Sequence, residues 1–173
     1  MRLNRRWCGR GKSLLQCQEL SDVQPMITSE LSIIIQRSRS EVFAYLMELS
    51  NYVTWQAGLV KVAASDGMEV GSTITFTTVG LGQTFNLKAR VVENELNSYF
   101  RVISSRGPIT FDFLYELISD GEDTVVRLVN KIQTNSVFKL AEPVLQSISD
   151  SQYSADLKSL KAVLESSAEV KRG

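Results

Sequence analysis

At 173 residues, with 43% hydrophobic and 22% charged side chains, the chain is long enough for one domain with a substantial core and has ordinary globular composition. Its formal net charge is zero, but Arg2, Arg5, Arg6, Arg10 and Lys12 crowd the first eighteen residues, which carry no acid, leaving 14 basic and 19 acidic side chains for the rest. That mildly acidic body argues against nucleic acid as a partner, because phosphate binding needs a basic face, and the complete lack of His removes the commonest general base and metal ligand.

Residues 1–25 lack the periodicity of the rest and are expected to be a disordered basic leader. After the arginines the only apolar run is Leu14-Leu15, far short of a secretory h-region of roughly 7–15 residues. Gly11-Lys12-Ser13 ends like a phosphate-binding loop, but Arg6 stands where the motif needs its first Gly, and the nucleotide reading is rejected. Cys8 and Cys17 have no His or further Cys with which to build a zinc site. A translation start at Met26 is an alternative to a native leader.

The expected domain spans 26–168, followed by a short tail, 169–173. Ile27 to Gln36 reads as a strand centred on Ile33, Ile34 and Ile35. Ser38-Arg39-Ser40-Glu41 has the spacing of a capping box, and the helix it opens places Val42, Phe43, Leu46 and Leu49 on one stripe. Asn51 to Gln56 reads as a second short helix, with Gly58 placed to end it.

From Leu59 the apolar period becomes two. Strands are expected over Leu59–Ser65, Ser72–Val79, Thr84–Glu95, Tyr99–Ser105, Ile109–Ile118 and Thr124–Thr134. The breaks carry turn residues: Asp66-Gly67, Gly80-Leu81-Gly82, Asn97-Ser98, Gly107-Pro108 and Asp120-Gly121. Such short breaks suit antiparallel hairpins. Val137 to Ser167 is helical in pattern, with Leu140, Val144, Ile148, Leu157, Leu160 and Leu164 on or near one face, and Pro143 beginning or kinking it.

One face of the sheet is apolar. Phe111, Phe113, Tyr115 and Leu117 alternate with Asp112 and Glu116; Val126, Leu128 and Ile132 alternate with Arg127 and Lys131; Phe85, Leu87, Ala89 and Val91 alternate with Lys88 and Arg90. The strand at Tyr99 is ambiguous, because Phe100 and Val102 compete with Tyr99 and Ile103. An apolar sheet face must be covered, and only the last helix is long enough to do it. The fold class expected is therefore α+β: a curved antiparallel sheet of about seven strands wrapped on a long C-terminal helix, with two short helices after the first strand.

That element order resembles the START-like, or SRPBCC, superfamily, whose helix-grip fold is shared with birch-pollen-allergen-type proteins. The resemblance lies toward the polyketide cyclase/dehydrase and coenzyme-Q-binding-like branch. It is carried by Ser40-Glu41-Val42-Phe43-Ala44-Tyr45-Leu46, Asn51-Tyr52-Val53-Thr54-Trp55, Ala89-Arg90-Val91-Val92-Glu93, Gly107-Pro108, Tyr115-Glu116-Leu117, Asp123-Thr124-Val125-Val126 and Leu157-Lys158-Ser159-Leu160-Lys161. It covers about Ile27 to Ser166, and it implies binding of a lipid, isoprenoid, quinone or polycyclic aromatic in an internal cavity.

On that reading the ligand-binding residues are Phe43, Leu46, Tyr52, Trp55, Phe76, Phe85, Leu87, Phe100, Phe111, Phe113, Tyr115, Val126, Leu128, Val144 and Ile148. No metal and no cofactor is expected. Binding is favoured over catalysis, since an enzyme would need a polar group with a shifted pKa inside the pocket. The candidates, Tyr115, Arg101, Asp112 and Glu95, read more simply as core (Tyr115) or solvated face. A third reading makes the chain a protein-partner module. The expected partner is a small hydrophobic molecule, with no nucleic acid, and with transient membrane-surface contact through the leader. The expected location is cytoplasmic, since no stretch approaches the ~20 apolar residues of a membrane span.

Overall fold

The computed structural model describes residues 26–80, 82–104, 106, 109–134 and 142–172, and only the backbone of 80, 134, 142–145 and 167–172. The leader and both cysteines lie outside the described residues. Strand β1 runs Met26–Ile35, helix α1 Arg39–Met47, a 3-10 turn Leu49–Asn51, and the short helix α2 Tyr52–Trp55. Then come β2 Leu59–Ala64, β3 Thr73–Gly80, β4 Gln83–Glu95, β5 Tyr99–Ser104, β6 Ile109–Asp120 and β7 Asp123–Thr134, and the chain closes with α3, Glu142–Arg172. This is the expected α+β helix-grip architecture.

Local chemistry accounts for the entry into α1. Ser38 Oγ accepts from the Glu41 N–H, and the Glu41 carboxylate accepts from the Ser38 N–H at 3.1 Å, so both halves of the capping box form. Caps of this kind contribute about 1 kcal/mol. Gly58 ends the α2 turn with φ +79°, and a Cβ there would lie 2.7 Å from the Val79 carbonyl oxygen. Its own carbonyl accepts from the Val79 N–H at 2.7 Å and from Thr78 Oγ1 at 3.1 Å, tying α2 to β3.

All seven strands pair antiparallel in one open sheet, in the order β1-β7-β6-β5-β4-β3-β2. Period-two alternation sets which side chains face inward. Thr124, Val126, Leu128, Asn130 and Ile132 are buried from β7, and Leu87, Ala89 and Val91 from β4. The ambiguous β5 resolves in favour of Phe100, Val102 and Ser104, with Tyr99 and Ile103 on the other face.

Helix α3 lies across this concave face and is tied to β1 along its length. Gln146 Nε2 donates to the Thr28 carbonyl at 3.1 Å, Ser29 Oγ donates to Asp150, and Lys161 Nζ donates to the Ile34 carbonyl at 2.7 Å. Leu157, Leu160 and Leu164 are buried beneath it. The convex face carries charge instead. There the Arg101 guanidinium forks onto Asp112, at 2.8 and 2.6 Å, and reaches Glu93 at 3.0 Å. The hydrogen bonds from Arg101 hold the Asp112 carboxyl below its usual range.

Candidate ligand cavity

The interior is packed at one end and open at the other. Val42, Phe43 and Leu46 from α1 join Val91, Phe100, Tyr115, Leu117, Val126, Leu160 and Leu164 in the buried core. Phe100 and Tyr115, cross-strand partners, stack with ring centroids 4.8 Å apart. Toward the β2–β3 end the helix and sheet part around a cavity of about 340 Å³. That volume falls at the small end of the ~300–1,000 Å³ typical of ligand pockets.

The sheet supplies most of the wall: Phe76 and Thr78 from β3, Phe85 and Leu87 from β4, Ile109, Phe111 and Phe113 from β6, and Ile132 from β7. Gln56, Ala57 and Leu59 close one end, and Gln152, Tyr153 and Asp156 hang from α3. Four rings run from sheet to helix in sequence. Phe76 sits edge-on to Phe111 at 6.2 Å, Phe111 stacks on Phe113 at 4.6 Å, and Tyr153 meets Phe113 edge-on at 5.5 Å. Such pairs prefer these offset geometries and hold their wall rigid.

Apart from Thr78, the polar groups gather on the α3 side. Asp156 is 5% exposed, and its Oδ1 accepts from the Ala57 N–H at 3.0 Å and from Gln152 Nε2 at 2.9 Å. Burial pushes its carboxyl pKa up, and the two hydrogen bonds only partly offset this. Burial also raises the phenols of Tyr153, Tyr115 and Tyr52, so each is a neutral hydroxyl at physiological pH.

Of the ligand-binding residues expected from sequence, Phe76, Phe85, Leu87, Phe111 and Phe113 line the cavity. Phe43, Leu46, Tyr52, Trp55, Phe100, Tyr115, Val126 and Leu128 instead lie in the buried core, outside that lining. The Val144 side chain lies outside the described residues. Ile148 is 49% exposed and points away from the cavity. The helix face that meets the sheet runs through Ser149, Tyr153, Asp156, Leu160 and Leu164, one residue round from Ile148, because three of its first members are polar or amphipathic and an apolar count passes over them. Gln152, Tyr153 and Asp156 were missed for the same reason, and the signal available for them was helical spacing back from Leu160 and Leu164. Gln56, which caps α2, carries no such signal.

The candidate catalytic groups fall elsewhere. Arg101 and Asp112 satisfy each other on the convex face, Glu95 is exposed, and Tyr115 is core. Among the described residues no cluster of His, Cys, Asp and Glu could hold a metal. No helix among them is long and apolar enough to cross a membrane. A second, larger groove opens on the outer surface between the start of α1, the β6–β7 turn and the end of α3, but it is lined mainly by exposed polar side chains such as Arg39, Glu41 and Glu122.

No family model and no curated protein matches the sequence. Solved structures do match the fold. A START superfamily protein from Mycobacterium smegmatis superposes with a TM-score of 0.69 at 11% identity, over 80% of this chain and 97% of that one. The Zhui aromatase/cyclase from Streptomyces sp. R1128 gives 0.68 at 13% identity, over 81% and 94%. Ara h 8.0201 gives 0.61 at 13% identity, over 82% and 99%. The chain therefore has the START-like helix-grip fold.

Proposed function

We propose that the protein binds a small hydrophobic molecule in the cavity between β3, β4, β6, β7 and α3, and acts as a binder or carrier. The observation that carries this reading is the aromatic-walled cavity itself, with most of its polar groups gathered around Asp156. An empty apolar volume costs stability in proportion to its size. The fold adds support, since the similar structures include proteins described as a START superfamily member and as an aromatase/cyclase. The cavity's size favours a small aromatic or short-chain ligand over a long-tailed quinone.

Burying about 300 Å² of apolar ligand surface yields roughly 7 kcal/mol gross. Association and ordering costs reduce that to micromolar-class affinity. A cyclase or dehydratase is the second reading: the candidates Arg101, Asp112 and Glu95 lie off the cavity, Asp156 puts a buried carboxyl with a raised pKa in its lining, and binding alone needs no catalytic group. Native mass spectrometry of the purified protein, followed by organic extraction, tests the proposal. A co-purifying apolar molecule, or stoichiometric uptake of an added one, is expected. Protein that stays ligand-free in both arms would contradict it.

A further inference from the structure

Among the described residues the cavity lining contains one carboxyl group and no Lys or Arg. Apart from Thr78, whose hydroxyl donates to the Gly58 carbonyl, its polar members gather around Asp156. Gln152 donates to Asp156, Gln56 adjoins the Ala57 amide that also donates to Asp156, and Tyr153 sits three residues away on the same helix. Both hydrogen bonds reach Oδ1, so the carboxylate's second oxygen is not used by either. Among the described residues, the groups that face Asp156 electrostatically are phenols, Tyr153 from its own helix and Tyr115 from β6, with Tyr52 from α2 beyond Tyr115. Arg101, Arg127 and Lys161 are engaged by Glu93, Asp112, Glu30, Glu116 and Glu165 away from the cavity.

A carboxylate taken out of water with no cation beside it is costly unless something compensates it. Two amide N–H donors compensate part of that cost. The geometry points to a ligand made of an apolar ring or short-chain body with a single hydrogen-bond-donating head, a protonated amine or a hydroxyl, seated on Asp156, with carboxylate-headed ligands such as fatty acids disfavoured. This rests on the cavity-binding reading above and specifies its substrate class. The body stacks against Phe111, Phe113 and Phe76, whose rings suit an aromatic skeleton. The amine should bind best, since a charge-assisted hydrogen bond is the stronger kind. An anionic head would meet like charge, with no positive side chain among the described lining residues to relieve it.

The test is a matched series that differs only in the head group: naphthylethylamine, naphthylethanol and naphthylacetate, titrated by calorimetry into the full chain at about pH 7. The expected order is amine, then alcohol, then carboxylate, with the amine roughly 10- to 100-fold tighter than the carboxylate. Asp156→Asn keeps an oxygen for the Ala57 and Gln152 donors while removing the charge, and should bring the amine-to-carboxylate ratio close to unity. A second measurement needs no variant. In the wild type, the amine's advantage over the alcohol should shrink as falling pH protonates Asp156. Equal binding of all three heads, tighter binding of the carboxylate, or a ratio unchanged in Asp156→Asn would overturn the assignment while leaving a working cavity. Failure of all three to bind would overturn the cavity reading and this assignment with it.

Discussion

Asp156 bears its own stability signature. Its folded-state pKa is raised by burial above the ordinary value of 3.8. The folded protein therefore binds more protons than the unfolded chain across the window from that value up to the folded pKa. The contribution to stability is fully present below the window and is lost as pH rises through it. Asp156→Asn should accordingly raise the melting temperature at neutral pH, and the gap between variant and wild type should close as the pH approaches about 4. Thermal melts across that range check it, and a gap that widens toward acid would be the opposite of what the burial of this carboxyl requires. Asn130 is a second residue-level case. It is 0% exposed on β7, opposite Ser29 and Phe113, and neither side-chain atom has a hydrogen-bond partner among the described residues. Replacing it by the near-isosteric Leu should stabilise the fold by roughly 1–2 kcal/mol in urea unfolding, because a buried amide without partners costs about that much. A loss of similar size would show that the amide holds a bound water or ligand.

At the scale of elements, strand parity was the most legible property of the sequence. Each inward set on β4, β6 and β7 appears in the structure with the expected parity, because a one-residue slip would turn every apolar side chain to solvent. The capping box before α1 was equally readable, since it depends on two side chains three residues apart. The inner face of α3 was not. Ser149, Tyr153 and Asp156 lie on it because the sheet leaves a gap there, and the gap arises from pairings far apart in sequence. Gly58 joins the two kinds of information. Its left-handed φ was expected of a terminating glycine, but the approach of the Val79 carbonyl is a tertiary fact. Gly58→Ala should destabilise by at least about 1–2 kcal/mol from the backbone conformation alone, with the Val79 contact adding to it. A melting temperature within experimental error of wild type would contradict that placement.

For the whole molecule, composition and periodicity lead to the helix-grip fold, whereas the location of free volume depends on side-chain packing that no local pattern encodes. Phe100, Tyr115, Val126 and Leu128 carry the same inward signature as Phe111 and Phe113, yet only the latter pair borders open space. The difference is what stands opposite. Phe43, Leu46 and Leu160 fill the α1 end, and among the described residues α1 has no counterpart over the β3–β4 end. The central claim, that this end is a ligand cavity and not a packing defect, is tested most directly by titrating the neutral fluorophore N-phenylnaphthylamine into wild type and into Ile109→Trp, which places an indole in the cavity. Saturable one-to-one binding with micromolar-class affinity is expected for wild type, and loss of at least about tenfold in the filled variant. No binding to wild type, or equal binding to a folded Ile109→Trp, would contradict it.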